Sequence, residues 1–224
     1  MLTCNDICLD YVEATRVTHA LQGVSLDFAP NKLHGIMGPS GSGKSSLLYI
    51  LCGLKSPSSG NVSIDGKSIT KMPERERASL RSERFGFVFQ QPFLLNYLTA
   101  LENILVGVSP STLTIATQKA EALLTDLGLD GMGDKYPSML SGGERQRVAV
   151  ARALIGNPSI VFADEPTAAL DKENGYKVMQ ALANWAVDHT VIVVTHDADM
   201  LKGADIIHYL MSGCLIDNPH TNVR

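Results

Sequence analysis

Short apolar runs alternate along the chain with longer stretches whose apolar positions repeat at helical spacing. Residues 32–37, 85–89, 159–165, 191–195 and 206–211 are short, rich in β-branched or aromatic side chains and bounded by turn formers, which predicts strands. Strands alternating with helical patterns predict parallel strands joined by crossover helices, the α/β class whose loops at strand carboxyl ends bind ligands. The opening third differs. Residues 2–11, 23–28 and 61–69 read as strands, the last folded back at Asp65-Gly66, a hairpin dipeptide, so a small antiparallel β layer is expected beside the mainly parallel core. From Gln91 to about Tyr136 the pattern is mostly helical, broken at Ser109-Pro110 and at 131–133, which predicts an α-helical subdomain inserted without a linker. The expected division is one domain over 1–224, with the α/β core from 1–90 and 151–224 and the helical part at 91–150. After Ala181 the chain reads as helix, strand, helix, strand, a turn at Ser212-Gly213 and a last strand near Leu215; the polar residues 218–224 are expected to be loose.

Composition narrows the class. A chain of 224 residues that is 45% hydrophobic builds one substantial core and is too short for two such domains. Its formal charge of −4 supplies no basic field for phosphate neutralisation, which excludes nucleic acid as a partner. The apolar runs stop far short of the roughly 18 residues that cross a bilayer, and the sequence does not open on a basic-then-apolar leader. The chain is therefore expected to stay in the compartment where it is made. Cys4, Cys8, Cys52 and Cys214 form no C-x-x-C pair and have no clustered His beside them, so buried free thiols in a reducing cytoplasm are expected rather than a zinc site.

Candidate chemistry sits at strand ends. The strand over 32–37 runs into Gly38-Pro39-Ser40-Gly41-Ser42-Gly43-Lys44-Ser45 and then the helix-forming residues 46–51, which fits G-x-x-x-x-G-K-[ST] and predicts a P-loop NTPase core. Glycines there let backbone N–H groups converge on phosphate oxygens, and the helix start adds partial positive charge. Lys44 is placed to reach the β and γ phosphates, and the Ser45 hydroxyl to ligate Mg²⁺. The strand over 159–165 ends in Asp164-Glu165. Adjacent strand residues point different ways, so Asp164 is expected in the Mg²⁺ shell and Glu165 beside the γ-phosphate, where it would orient and deprotonate a water. A Ser-Gly-Gly turn at the mouth of a helix, Ser141-Gly142-Gly143-Glu144, is a second anion-binding nest.

With Leu140-Ser141-Gly142-Gly143-Glu144-Arg145 the sequence resembles the ABC ATPase family. The phosphate loop, this signature, the Asp-Glu pair and Thr195-His196 follow in the family's order, and the resemblance covers nearly the whole chain. It implies that the phosphate-loop residues Gly38, Ser40, Gly41, Ser42, Gly43, Lys44, Ser45 and Ser46 bind ATP with Mg²⁺. It implies further that Gln90 is the Q-loop residue sensing Mg²⁺ and the transport partner, that His196 is the switch histidine, and that Ala169-Leu170-Asp171 is the D-loop. A histidine at a strand end also fits a purely structural role. Tyr11 is similar to the aromatic residue that stacks on adenine, although a half-buried strand-end tyrosine fits that place equally.

In this family each ATP is held by the phosphate loop of one copy and the signature of another. The resemblance thus implies a sandwich dimer of this chain, with Ser141, Gly142, Gly143 and Glu144 serving the partner's nucleotide, and a separate transmembrane permease docked on the helical segment after Gln90. It also implies a cytoplasmic location at the inner membrane, with membrane contact through the permease only. Residues 87–90, Leu94-Leu95, 98–103 and 140–147 look most like the lipoprotein-release and macrolide-export group, which includes the cell-division FtsE-type ATPases. The expected function is ATP hydrolysis that energises export or extraction of a lipoprotein, peptide or hydrophobic compound; the alternative is force transmission to a cell-wall enzyme without transport. One departure is Ala168-Ala169 after Glu165-Pro166-Thr167, where the group commonly has Gly-Asn. Soluble ABC ATPases of translation or repair carry a tandem ATPase, a long coiled coil or zinc insertions, and a P-loop kinase or GTPase has no use for the signature.

Overall fold

Which strands bury both faces decides the architecture. The computed structural model describes residues 1–13 and 16–217; the expectation for 218–224 lies outside the described residues. In chain order its elements are β1 (Leu2–Glu13), β2 (Arg16–Phe28), β3 (Leu33–Met37), α1 (Lys44–Leu51), β4 (Ser59–Ile64), β5 (Lys67–Ser68), α2 (Glu74–Arg84) and β6 (Phe85–Val88). There follow α3 (Ala100–Leu105), α4 (Leu113–Asp126), α5 (Gly142–Leu154), β7 (Ile160–Asp164), α6 (Lys172–Ala186), β8 (Thr190–Thr195), β9 (Ile206–Met211) and β10 (Cys214–Ile216). Every residue of β7 and of β8 is buried, as parallel strands covered on both faces require.

These strands lie in a sheet of order β10-β9-β3-β8-β7-β6, parallel except for the hairpin partner β10. Alternation along β7 sorts its side chains into two cores. Val161 and Ala163 face the helices, packing with Val148, Leu154, Val178 and Leu182, whereas Ile160 and Phe162 face α1 and the N-terminal layer with Leu47, Leu51 and Phe28. That layer is the antiparallel sheet β2-β1-β4-β5. Its β4–β5 turn holds Asp65 and Gly66 at φ 50° and 78°, the double left-handed geometry of a two-residue hairpin. Gln22 binds the layer to the parallel sheet at the far edge: its N–H donates to Gly213 O and its amide to Ser212 O, both in the β9–β10 turn.

The helical part departs from expectation in detail. Residues 91–99 and 127–136 form no α-helix, and a buried amide compensates for the first stretch. Asn103 on α3 accepts from Leu95 N–H at 2.7 Å, and its Nδ2 lies 2.9 to 3.1 Å from the carbonyls of Leu95, Leu98 and Thr99. Helix α5 runs through residue 150 to Leu154, where Lys119 of α4 donates to the Leu154 and Ile155 carbonyls that end it. Between β8 and β9 only a 3-10 turn over Ala198–Leu201 forms in place of the expected helix, because Asp197 caps Asp199 N–H and Gly203 follows at once. Helix α2 was not anticipated at all. It buries no residue fully, and its order comes from Glu74 and Glu76 in the first turn, Arg81 and Arg84 in the last, and Glu74 bridging Arg77 and Arg81. Of the cysteines, Cys4 and Cys52 are buried, with thiols pushed up by burial to about 11 and about 12; Cys8 and Cys214 are only half-buried, against expectation.

One pair of histidines, one buried and one half-buried, makes the fold sensitive to acid. His34, fully buried on β3, stacks on His208 of β9 at 5.7 Å, and Phe28 meets both rings edge-on. Its Nε2–H donates to Ala29 O, and its Nδ1 lies 3.4 Å from His208 Nε2. Burial holds His34 below the ordinary imidazole range and, with His34 beside it, holds His208 down at about 4. In the unfolded chain both titrate near 6.5, so below that pH the unfolded state binds more protons and stability is lost as pH falls toward 4. The urea midpoint of unfolding is therefore expected to fall between pH 7.5 and 5, and to fall less in His208→Leu. Equal slopes in the two proteins would contradict the assignment.

Candidate active site

Strand register brings four chain segments to one rim. Met37 of β3 lies opposite Thr195 of β8, and Asp164 of β7 opposite Val194, so the residues that leave β3, β6, β7 and β8 emerge at the same end of the sheet. A cleft of about 1190 Å³ opens there, and Tyr11, Ser40, Gly41, Gly43, Lys44, Ser45, Ser46, Gln90, Glu165 and His196 line it. Ser42 and Asp164 are buried, and neither they nor Gly38 is part of that lining.

The loop between β3 and α1 has room only for glycine at its tight points. A Cβ on Gly38 would lie 2.0 Å from Leu210 O, and one on Gly43 2.5 Å from Ala20 O, with Gly43 also at φ 102°. As the residue before α1, Gly43 offers no side-chain acceptor, so the first-turn N–H groups of the helix stay free for an anion. Lys44 is buried along its stem, and its ammonium donates to the carbonyls of Gly38 at 2.8 Å and Pro39 at 3.0 Å, which holds the charge over the loop. Ser42 is 3% exposed and its Oγ has no partner.

Asp164 and Glu165 turn to different neighbours. Asp164, 2% exposed, accepts from Ser45 Oγ on Oδ1 at 2.9 Å and from Tyr49 OH on Oδ2 at 2.8 Å. Burial first, then Asp164 beside it, pushes the Tyr49 phenol above its ordinary range. Glu165 steps into the left-handed region, φ 46°, a conformation costing an L-residue about 1–2 kcal/mol. Its N–H donates to Val194 O, and the turn swings its carboxylate onto the end of β8, where Oε2 accepts from Thr195 Oγ1 at 2.9 Å and Oε1 lies 2.8 Å from His196 Nδ1. His196 itself is largely exposed to the cleft. At the outer edge, Tyr11 lies in hydrogen-bond reach of Ser46 Oγ at 3.1 Å, and Lys55 Nζ donates to its hydroxyl at 2.8 Å, 4.0 Å from the ring centroid. Lys55 and then Ser46 hold that phenol below its ordinary range.

The second nest is elsewhere. Ser141 caps α5 in a reciprocal box: its Oγ accepts from Glu144 N–H and Glu144 Oε2 accepts from Ser141 N–H. That Ser141 N–H is the main cause of the lowered Glu144 pKa. Ser141, Gly142, Gly143 and Glu144 do not line the cleft of their own chain. A Cβ on Gly143 would sit 2.9 Å from Leu170 Cδ2, so the signature packs directly on the segment 169–171, where Asp171 caps α6 by accepting from Asn174 N–H.

Four residues outside the sequence expectations hold this geometry. Tyr49 shares a helix face with Ser45, four residues earlier, and the fold sets that face against Asp164. Thr195, singled out only as part of Thr195-His196, is fully buried and donates to Glu165. Gln146 and Arg152 of α5 fasten the chain around Gln90: Gln146 Nε2 donates to Phe89 O at 2.9 Å, and Arg152 donates to Pro92 O at 2.6 Å and Phe93 O at 2.9 Å. Nothing in their spacing announces this role. Among the described residues Gln146 Oε1 and Arg147 Nε are also buried without a partner.

Comparison with known proteins adds the following. Residues 21–168 match the family described as ABC transporter. The chain is similar to the lipoprotein-releasing system ATP-binding protein LolD of Blochmanniella floridana, 38% identical over 220 residues that cover 96% of this chain and 93% of the relative. It superposes on two solved structures of the ATP-binding cassette MJ0796, both at 36% identity over 97% of each chain. One is a dimeric post-hydrolysis state bound to ADP and Pi, with a TM-score of 0.89, and the other is a dimeric structure of this bacterial ABC transporter cassette, with a TM-score of 0.88.

Two left-handed glycines of the loop, Gly41 and Gly43, separate backbone strain from collision. Gly41→Ala meets nothing within 4 Å and carries only the left-handed penalty at φ 78°, whereas Gly43→Ala must also displace the Ala20 carbonyl. Binding of a fluorescent ATP analogue is expected to weaken at least tenfold more in Gly43→Ala than in Gly41→Ala, with the lower melting temperature in the former. Equal losses would mean that the Ala20 contact does not shape the loop.

Proposed function

We propose that this chain, which belongs to the ABC transporter family as an ATP-hydrolysing subunit, drives the release of lipoproteins from the membrane through a separate permease. It works as a dimer of two copies at the cytoplasmic face. The observation that carries the reading is the separation within one chain. The phosphate loop, Glu165 and His196 share a cleft, while the Ser141–Glu144 nest lies outside it, so each copy holds two half sites. The dimeric MJ0796 cassettes and the lipoprotein-releasing relative support the assembly and the cargo; no observation favours force transmission without transport.

In this reading the ATP phosphates take the place of the Gly38 and Pro39 carbonyls on the Lys44 ammonium, and the free N–H groups of α1 bind the same oxygens. The adenine stacks on Tyr11, a contact of about 1–3 kcal/mol for a base on an aromatic ring. The donor set fits Mg²⁺: one buried carboxylate, Asp164, with the Ser45 hydroxyl beside it and the Gln90 amide on the cleft wall suits a cation that takes one or two protein oxygens and completes its shell with phosphate and water. Bound there, the ion would neutralise phosphate charge. Glu165 orients the attacking water and takes its proton, and Thr195 and His196 fix the carboxylate that does so. His196 then donates to a γ-phosphate oxygen as charge develops on it. Ser141, Gly142, Gly143 and Glu144 present the N-terminus of α5 to the partner's nucleotide, which makes ATP the ligand that shifts two copies toward a closed dimer. The permease docks on the segment that Asn103, Gln146 and Arg152 fasten, so its motion reaches Gln90 and the signature helix together.

Proteoliposomes holding the chain with its permease test the proposal. Wild type is expected to release a fluorescent acylated lipoprotein only with Mg·ATP. Glu165→Gln should lose about 10²-fold or more of its phosphate release while retaining ATP binding. Turnover of Glu165→Gln within a few-fold of wild type would remove Glu165 from its role. ATP hydrolysis without lipoprotein release would overturn the cargo and leave the ATPase assignment standing.

A further inference from the structure

Asp164 is a buried carboxylate whose two oxygens are held by two different hydroxyls. Ser45 Oγ donates to Oδ1 at 2.9 Å, and Tyr49 OH donates to Oδ2 at 2.8 Å. Both donors come from α1, one helical turn apart, so a single rigid element sets both ends of the carboxylate. Tyr49 does not line the cleft. Its ring lies 6.4 Å from that of Phe89, the residue before Gln90, in a tilted arrangement that packs it between α1 and the chain leaving β6. Ser45 faces the cleft, where its hydroxyl oxygen would ligate a bound cation; Tyr49 is set back and serves the carboxylate.

We propose that Tyr49 is a positioning residue for the cation site, fixing the rotation of the Asp164 carboxylate through Oδ2 so that Oδ1 is presented beside Ser45. The proposal rests on the reading of Ser45 and Asp164 as cation-holding residues. Without the Tyr49 hydroxyl, Oδ2 is buried with no donor and the carboxylate is fixed on one side only. Groups that orient a metal ligand from behind typically change metal affinity 10- to 100-fold when removed.

Tyr49→Phe keeps the ring and removes only the donor, which separates positioning from packing. The measurement is Mn²⁺ binding in the presence of ADP, read as free Mn²⁺ by electron paramagnetic resonance in wild type, Tyr49→Phe and Asp164→Asn. ADP affinity in EDTA is measured alongside as the metal-free readout. Tyr49→Phe is expected to raise the Mn²⁺ dissociation constant about tenfold or more with metal-free ADP affinity unchanged, and Asp164→Asn to raise it further. Wild-type Mn²⁺ affinity in Tyr49→Phe with loss in Asp164→Asn would overturn the role of Tyr49 and leave the cation site intact. Wild-type affinity in both variants would overturn the cation site itself. An equal weakening of ADP with and without metal in Tyr49→Phe would show that the tyrosine shapes the loop rather than the ligand, and the proposal would fall.

Discussion

In-register parallel pairing of β3, β8 and β7 is the constraint on which the site depends. A slip of one residue in any of these pairings would turn Asp164 away from α1 and Glu165 away from Thr195, because side chains alternate faces along a strand. The register is secured by the same alternation that builds the core: Val161 and Ala163 are committed to the helices, and Ile160 and Phe162 to α1 and the antiparallel layer. Moving either set would expose or collide large buried side chains, at a cost of several kcal/mol for Phe162 alone. Chemistry at the rim is thus fixed by packing in the middle of the sheet.

At that rim, backbone strain and an unsatisfied buried polar group meet. Glu165 holds a left-handed φ, Gly43 and Gly38 make contacts no side chain tolerates, and Ser42 Oγ lacks a partner. The irregular stretch after Gln90 is held in place by Asn103, Gln146 and Arg152, side chains from two helices of the inserted part. Helix α5 thus ties the chain around Gln90 to the Ser141 turn, with Ser141 at its start and the anchors of residues 89–93 along its length.

Much of this was legible in the sequence because short motifs sit at strand ends, where register alone decides what they meet. Lys44 is identifiable from the strand-loop-helix context, Glu165 from its place at a strand end, and Gln90 and His196 from the family resemblance alone; all four fall on one cleft. What stayed hidden depends on side chains that reach across elements. Tyr49 reads as another apolar-face helix residue, and Arg152 as an ordinary last-turn cation, until the fold puts Asp164 and the Pro92 carbonyl opposite them. Helix α2 was missed for a different reason: an almost wholly polar helix has no stripe to detect, and its order comes from charge placement at its ends. The stretch from 91 to 136 is less helical than its pattern predicts, since the buried Asn103 that satisfies a loop backbone has no periodic signature.

In the proposed assembly one chain carries two half sites that ATP joins, because the Ser141 nest does not line the cleft that holds the phosphate loop. Light scattering of the Glu165→Gln protein in saturating Mg·ATP tests this most directly. The mass is expected to rise from that of one chain, 24.1 kDa, to about twice that value, and to return to one chain when Ser141→Arg is added. A mass that stays at one chain in Mg·ATP, or a dimer indifferent to Ser141, would contradict the claim.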